Sequence, residues 1–257
     1  MNALIWCLSG LSLFLGLFAL GLGPAARVGL ITHGDGIGLL LGIAIPVALC
    51  CLGCLLAVGL ATWRYPALLG LTIACLVPSL VATAGLLHMK LMVDSYPLIH
   101  DITTDPENPP QIIAGVQAPR SNPSAYNRDE AVPQHADDQT LYAAQKAGFP
   151  EIETLTLPMN SLTVQTQVTK AFEAMGLDIQ AVGPVAEGTE TIRIEATDTS
   201  RWFGFIDDVV VRIIPLSPTE SQVDIRSKSR IGMSDLGANG NRVLAIMNRL
   251  RPPSPDS

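Results

Sequence analysis

The densest chemistry in the chain lies near its C-terminal end. Arg226, Arg230 and Arg242 flank a helix start at Ser234, and Asn239 falls in the first turn. A helix N-terminus offers free N–H groups and the positive end of the peptide dipole. Three guanidinium groups beside it would hold a carboxylate, a phosphate or a lipid headgroup. Asp207, Asp208, Asp224 and Asp235 are the acidic counterparts. They could instead neutralise the arginines in a structural network, with Ser234 and Asn239 serving as cap and turn. Asp207 and Asp208 are also a carboxylate pair of the kind a hydrolase-like enzyme would use. Adjacent strand residues point to opposite faces, however, which suits a shared proton poorly. No Ser–His–Asp arrangement, phosphate loop or G-x-S-x-G elbow accompanies them.

The cysteines and histidines point elsewhere. Cys7, Cys50, Cys51, Cys54 and Cys75 all lie in the apolar N-terminal part. Cys51-x-x-Cys54 has the spacing of redox and metal sites, but its neighbours are Leu, Val and Ala, so packing is the expected role. His33, His88, His100 and His135 show no H-x-x-x-H or H-E pairing. No metal site and no cofactor is expected.

These residues sit in a chain of two unlike parts. Overall it is 48% hydrophobic and 15% charged, with a net charge of −7. Residues 1–87 contain only three charged side chains, Arg27, Asp35 and Arg64, and the remainder carries 14 Lys/Arg and 22 Asp/Glu. The first part is therefore net +1 and the second net −8. Neither a wholly soluble protein nor a pure multi-span transporter fits this division. The acidic balance argues against nucleic acid as a partner.

Leu4–Leu22, Ile37–Thr62 and Ala67–Leu87 are uncharged runs of 19, 26 and 21 residues. About 20 apolar residues in a helix cross a hydrocarbon core of about 30 Å. Three membrane helices in a region 1–91 follow, with Pro46 and Pro78 kinking the second and third rather than ending them. No basic residue precedes Arg27, so the first run reads as an uncleaved anchor. Gly38 and Gly42 form a G-x-x-x-G spacing that could bring copies of the chain together as a homo-oligomer. Arg27, Arg64 and Lys90 give a positive-inside count that slightly favours a cytoplasmic C-terminal domain. The Cys-free acidic domain and its Pro-rich approach favour a periplasmic one.

Residues 92–150 form a Pro-rich extended arm. It carries Asn122, Asn127, Asp129 and Glu130, has Ile99, Ile102, Ile112 and Ile113 to pin it, and ends in a short helix over 137–148. Residues 151–251 read as an α+β domain, with 252–257 a disordered tail. A helix capped by Asn160 or Ser161 runs to Met175 and closes at Gly176, with Leu162, Val164, Val168, Ala171, Phe172 and Met175 on one face. Strands are predicted over 177–185, 189–197, 203–214 and 221–231, then a helix over 236–250 after a Ser234 cap. The fold class is α+β, with helices packed on a four-stranded antiparallel meander. In the last hairpin, pairing Arg212 with Asp224 sets Val210 opposite Arg226 and Asp208 opposite Lys228, so that Arg212–Asp224 and Asp208–Lys228 become cross-strand ion pairs. Val209, Val211 and Ile213 then share the other face with Val223, Ile225, Ser227 and Ser229.

Phe205-x-Asp207-Asp208-x-x-x-Arg212 and Asp224-x-Arg226-Ser227-x-Ser229-Arg230-x-Gly232-x-Ser234-Asp235-x-Gly237-x-Asn239-x-x-Arg242 resemble a bacterial and plastid family, domain of unknown function fourteen-ninety-nine. Ile99-His100-Asp101-Ile102-Thr103-Thr104-Asp105 and Pro106-Glu107-Asn108-Pro109-Pro110 are similar to its opening motif. The resemblance spans about residues 100–250 and implies no activity. The expectation is a non-enzymatic binding or scaffold module anchored in the bacterial inner membrane, with a periplasmic C-terminal domain. Its partners would be the lipid bilayer and another envelope protein or an anionic headgroup. A hydrolase-like enzyme or an anionic-ligand binder built on the Arg/Asp cluster is the alternative.

Overall fold

The structure is a computed structural model that describes residues 2–132 and 139–251. Pro133, His135, the Asp137–Asp138 start of the expected arm helix and the tail after Arg251 lie outside the described residues. Two compact units form: Met1–Met92 with Ser200–Gly204, and Val93–Thr199 with Phe205–Ser257.

The first unit consists of α1 (Asn2–Arg27), α2 (His33–Gly42), α3 (Ala44–Arg64), a short 3-10 turn (Pro66–Leu68) and α4 (Leu69–Ser95). Three stretches are long and apolar enough to cross a bilayer: Ala3–Arg27, Ala44–Arg64 and Pro66–Ser95. The expected second run is interrupted at Ile43, which leaves helical geometry at φ −96° and ψ 1°. Pro46 explains the break. It has no N–H to give the carbonyl of Gly42, and its ring crowds that carbonyl. Pro78, by contrast, stays within an unbroken α4.

Small residues meet between α1 and α4. Ser12 Oγ lies 2.6 Å from Ser79 Oγ, and a Cβ placed on Gly16 would fall 2.3 Å from the Ser79 nitrogen. Among the described residues a Cβ on Gly38 or Gly42 would meet nothing within 4 Å, so those glycines serve no close approach there. All five cysteines are free, and Cys51, Cys54 and Cys75 pack with Leu76 in an apolar cluster. The 200–204 segment belongs to this unit. Its Trp202 indole N–H donates to the Leu20 carbonyl at 3.1 Å, and Arg27 donates to the carbonyls of Ser200 and Arg201 at 2.8 and 2.7 Å.

The second unit is α+β. β1 (Asp101–Thr103), α5 (Leu141–Gly148), β2 (Leu155–Leu157) and α6 (Ser161–Met175) lead into β3 (Asp178–Pro184), β4 (Ile192–Thr199), β5 (Ile206–Ser217) and β6 (Glu220–Ser229), and α7 (Ala238–Leu250) closes it. The sheet order is β1-β6-β5-β4-β3, antiparallel throughout, with β2 also pairing β6. The meander of four long strands is present, and two three-residue strands extend it to six. Both lie along the edge of β6 that β5 leaves open.

The hairpin register is as read: Arg212 faces Asp224, Val210 faces Arg226 and Asp208 faces Lys228. Val209, Val211, Ile213, Val223 and Ile225 are fully buried in one core with Val164, Val168 and Phe172 of α6 and Val243, Ile246 and Met247 of α7. Leu162, expected on that face, is 69% exposed, because two residues before the buried Val164 it falls on the opposite side of α6. Among the described residues the arm helix begins at Leu141, where the Thr140 hydroxyl caps it by accepting from the Ala143 N–H.

A tight contact closes the core at the start of α7. A Cβ on Gly240 would lie 2.2 Å from the ring of Phe149, which is 3% exposed and stacks on Tyr96. Gly240→Ala is expected to lower stability by about 1–3 kcal/mol through overpacking, although alanine is the better helix former. Urea unfolding of the full chain in detergent micelles measures this; an unchanged or raised midpoint would refute the tight fit.

Candidate functional site

The five candidate anion ligands do not converge. Strand alternation assigns Arg226 and Arg230 to one face of the sheet, while α7 brings Asn239 and Arg242 to the other. Ser234 lies in the connection between β6 and α7. Each guanidinium group of the set is engaged by carboxylates of the same unit.

On the first face, Asp101 is the centre. Its carboxylate, with no exposed surface, accepts from Arg226 Nε at 3.0 Å, Arg226 Nη2 at 2.8 Å and Lys228 Nζ at 2.7 Å. β1 positions it directly opposite Lys228. Backbone carbonyls of the arm complete both cations: Pro110 and Ser124 accept from Arg226, and Ala125 from Lys228. The Arg226 guanidinium also sits 5.5 Å above the Tyr126 ring. Burial, with the Asp101 charge adding to it, pushes the Tyr126 phenol well above its ordinary value.

The expected Asp208–Lys228 ion pair does not form, although the two residues are register partners. Asp208 is taken by Arg230, at 2.7 and 3.0 Å, and by Arg120 of the arm, at 2.7 Å. Lys228 turns to Asp101 instead. The expected Arg212–Asp224 pair is present at 2.8 Å, and Asp105 joins it at 3.0 Å. Farther along, Arg193 pairs with Glu195 at 2.7 Å, and the Glu195 carboxylate accepts from the backbone N–H groups of Ile113 and Ala114. The arm from Asp105 to Ala125 thus covers the charged face, so these pairs are buried rather than solvated.

On the helix face, Arg242 donates to Asp198 at 2.7 Å, Asp207 at 2.9 Å, Ser227 at 2.8 Å and Asn239 at 2.6 Å. Burial by itself would lower its pKa, but Asp207 and Asp198 outweigh that and hold it above the ordinary value. Asn239 bridges onward to Ser229 Oγ at 2.9 Å and to the His100 carbonyl at 3.3 Å. The expected Ser234 cap is replaced. α7 starts at Ala238, and the Asp235 carboxylate accepts from the N–H groups of Gly237 at 2.8 Å and Asn239 at 2.9 Å. The reason is reach: Ser234 lies four residues before Ala238 and caps only a preceding turn, accepting from Leu236 N–H. Loss of solvent pushes the Asp235 carboxyl up to about 6, against the pull of its two N–H donors.

Sequence reasoning missed several partners: Asp101, Asp105, Arg120, Arg193, Glu195 and Asp198. Asp101 and Asp105 had a signal, since both stand in the opening motif. It also missed a cavity of about 180 Å³ with His100, Glu130 and Asn122 on its polar side and Ile99, Leu141 and Met233 on its apolar side. His100 is 5% exposed, and its Nε2 has no hydrogen-bond partner among the described residues. Glu130 Oε1 lies 3.8 Å away. Burial and the Lys228 charge lower the His100 pKa, outweighing Glu130, Asp101 and a hydrogen bond to the Met233 backbone. Among the described residues no three His, Cys, Asp or Glu side chains gather as a metal site would require.

The fold and its ion-pair networks define a class: an α+β domain closed by an irregular arm and preceded by three helices of membrane-spanning length. The family described as "Protein of unknown function (DUF1499)" matches residues 101–250, more than half of the chain, and the chain belongs to that family. No curated protein matches its sequence.

Two outcomes follow from these networks. Asp101→Asn leaves Arg226 and Lys228 buried without their counter-charge, and a loss of about 3–5 kcal/mol is expected in urea unfolding; a loss no larger than a surface substitution gives would refute the central role of Asp101. Asp235 holds its proton to about pH 6 when folded and releases it at about 4 when unfolded. The folded state therefore binds more protons across that window, so the stability this group adds is present below about pH 4 and is lost as pH rises through about 6. Asp235→Asn should flatten that part of the stability profile, read as urea midpoints at several pH values; an unchanged slope would contradict it.

Proposed function

We propose that the chain is an integral protein of a bacterial inner membrane whose periplasmic C-terminal domain acts as a non-enzymatic binding or scaffold module. The observation that carries the reading is the state of its arginines. Arg226, Arg230 and Arg242, the groups best suited to an anionic ligand, already spend their donors on Asp101, Asp208, Asp198 and Asp207. An anion would have to displace a buried carboxylate from each. The hydrolase-like alternative is weakened in the same way: Asp207 and Asp208 stand on opposite faces of the sheet, each held by arginine. Three apolar helices support membrane insertion, and the Cys-free acidic domain supports the periplasmic side.

Inorganic phosphate distinguishes this reading from an anion binder. Titrated at constant ionic strength against the full chain in detergent, it should give no saturable rise in Tm, whereas an occupied site stabilises by mass action. A saturable rise that Arg230→Ala abolishes would overturn the reading. The same preparation of Arg230→Ala should be less stable than the parent, because Asp208 keeps only Arg120. Compartment is read separately by a C-terminal alkaline phosphatase fusion, expected to be active; an inactive fusion with a fluorescent green fluorescent protein counterpart would place the domain in the cytoplasm.

A further inference from the structure

We propose that the His100 cavity binds a small aliphatic primary amine, its ammonium group bridging His100 Nε2 and Glu130 while its carbon chain lies against Ile99, Leu141 and Met233. The site is separate from the arginine networks and does not rest on the scaffold reading.

His100 Nε2 is buried without a hydrogen-bond partner among the described residues. A buried polar atom without a partner carries a desolvation penalty, so such atoms in native proteins call for an explanation. His100 is neutral at physiological pH, since burial and Lys228 hold its pKa down. An Nε2 with no hydrogen-bond partner among the described residues and a carboxylate oxygen therefore face each other at 3.8 Å, beyond hydrogen-bond reach. Two acceptors are satisfied by one group only if it donates twice. An ammonium donates three times and accepts nothing. A hydroxyl donates once. With N···acceptor distances of about 2.9 Å the angle at the nitrogen would be narrow; Glu130, whose side chain is 41% exposed, has room to draw back and widen it.

Charge points the same way. Glu130 gives the mouth of the cavity a negative group that counters the Lys228 charge felt at His100, and its hydrogen bond to a cation is of the stronger, charge-assisted kind. Apart from Asn122 the rest of the lining is apolar, which a water molecule would leave unused. The volume of about 180 Å³ is ample: a cavity of about 150 Å³ holds benzene, which has more heavy atoms than butylammonium.

The test uses the full chain in detergent micelles with 13Cε1-labelled histidine at neutral pH. The His100 signal is assigned from the spectrum of His100→Gln or, if that variant does not fold, by removing His33, His88 and His135 in turn. Butylammonium chloride, with sodium chloride matched throughout, should shift the His100 signal saturably. Binding should tighten by about fourfold for each methylene that reaches the apolar wall in the series from ethyl to butyl. Glu130→Gln, at a half-exposed position, should weaken it by about tenfold, and butanol should bind more weakly than the amine. Absence of a saturable shift would overturn the proposal, leaving the cavity a hydrated cleft. Equal shifts with butanol, or an unchanged affinity in Glu130→Gln, would overturn the assignment of the ammonium to this pair.

Discussion

The C-terminal unit depends on one buried carboxylate. Asp101 has no exposed surface, yet two cations on β6, themselves almost wholly buried, converge on it. Charges of this kind are tolerated away from water only when paired and hydrogen-bonded. Arg226 and Lys228 must therefore find Asp101, and Asp101 has only one place to stand, opposite Lys228 on the free edge of β6. That requirement fixes β1, a strand of only three residues whose own hydrogen bonds would hold it weakly. It also fixes where the arm begins. The cations have donors left after Asp101 is satisfied, and the carbonyls of Pro110, Ser124 and Ala125 take them. The arm is thus ordered by charge-assisted hydrogen bonds to the sheet rather than by secondary structure of its own.

The sheet becomes two-faced in consequence. Alternate residues of β6 serve unlike layers: Val223 and Ile225 meet α6 and α7, while Arg226 and Lys228 meet the arm and Asp224 meets Arg212. Both faces are buried, one by hydrocarbon and the other by ion pairs capped with backbone. Toward the end of β6 the helix face also turns polar, where Ser227, Ser229, Asn239, Arg242, Asp198 and Asp207 join. The apolar core and the polar layer thus share one strand. That explains how a domain with an acidic average composition packs a dense interior.

What the sequence disclosed divides along physical lines. Hairpin pairing was legible because alternation along two adjacent strands leaves one register that keeps Val209, Val211 and Ile213 together. Membrane-length helices were legible because an uncharged run needs no partner to be recognised. The partners of Arg226 and Lys228 were not, because Asp101 lies more than a hundred residues away and sits in a strand too short to alternate. The role of the arm was hidden for a different reason. It contacts the sheet largely through main-chain carbonyl and N–H groups, which every residue offers alike. Ser234 and Asp235 are equally plausible caps by type, and only the left-handed turn at Gly237 (φ 84°) decides that α7 begins late enough for Asp235 to reach it. The cavity escaped because His100 and Glu130 come from separate loops with no common period.

Ion pairs of this depth are poor stabilisers compared with well-packed hydrocarbon, since desolvation offsets much of the Coulomb attraction. Their value here lies in what they forbid. Slipping β6 by one residue against β5 would turn Asp224, Arg226 and Lys228 into the Val164, Val168 and Phe172 layer and expose Val223 and Ile225 to the arm. With Asp101 and Arg212 left behind on the other side, every one of those charges would be unpaired. A sheet lined only with valine and isoleucine would tolerate such a slip far better, because either face would be apolar. The charged face therefore specifies a single register, and through it a single path for the arm. The Asp101 triad does for this sheet what a buried polar residue does for a coiled coil: it discriminates against alternatives more than it deepens the native minimum.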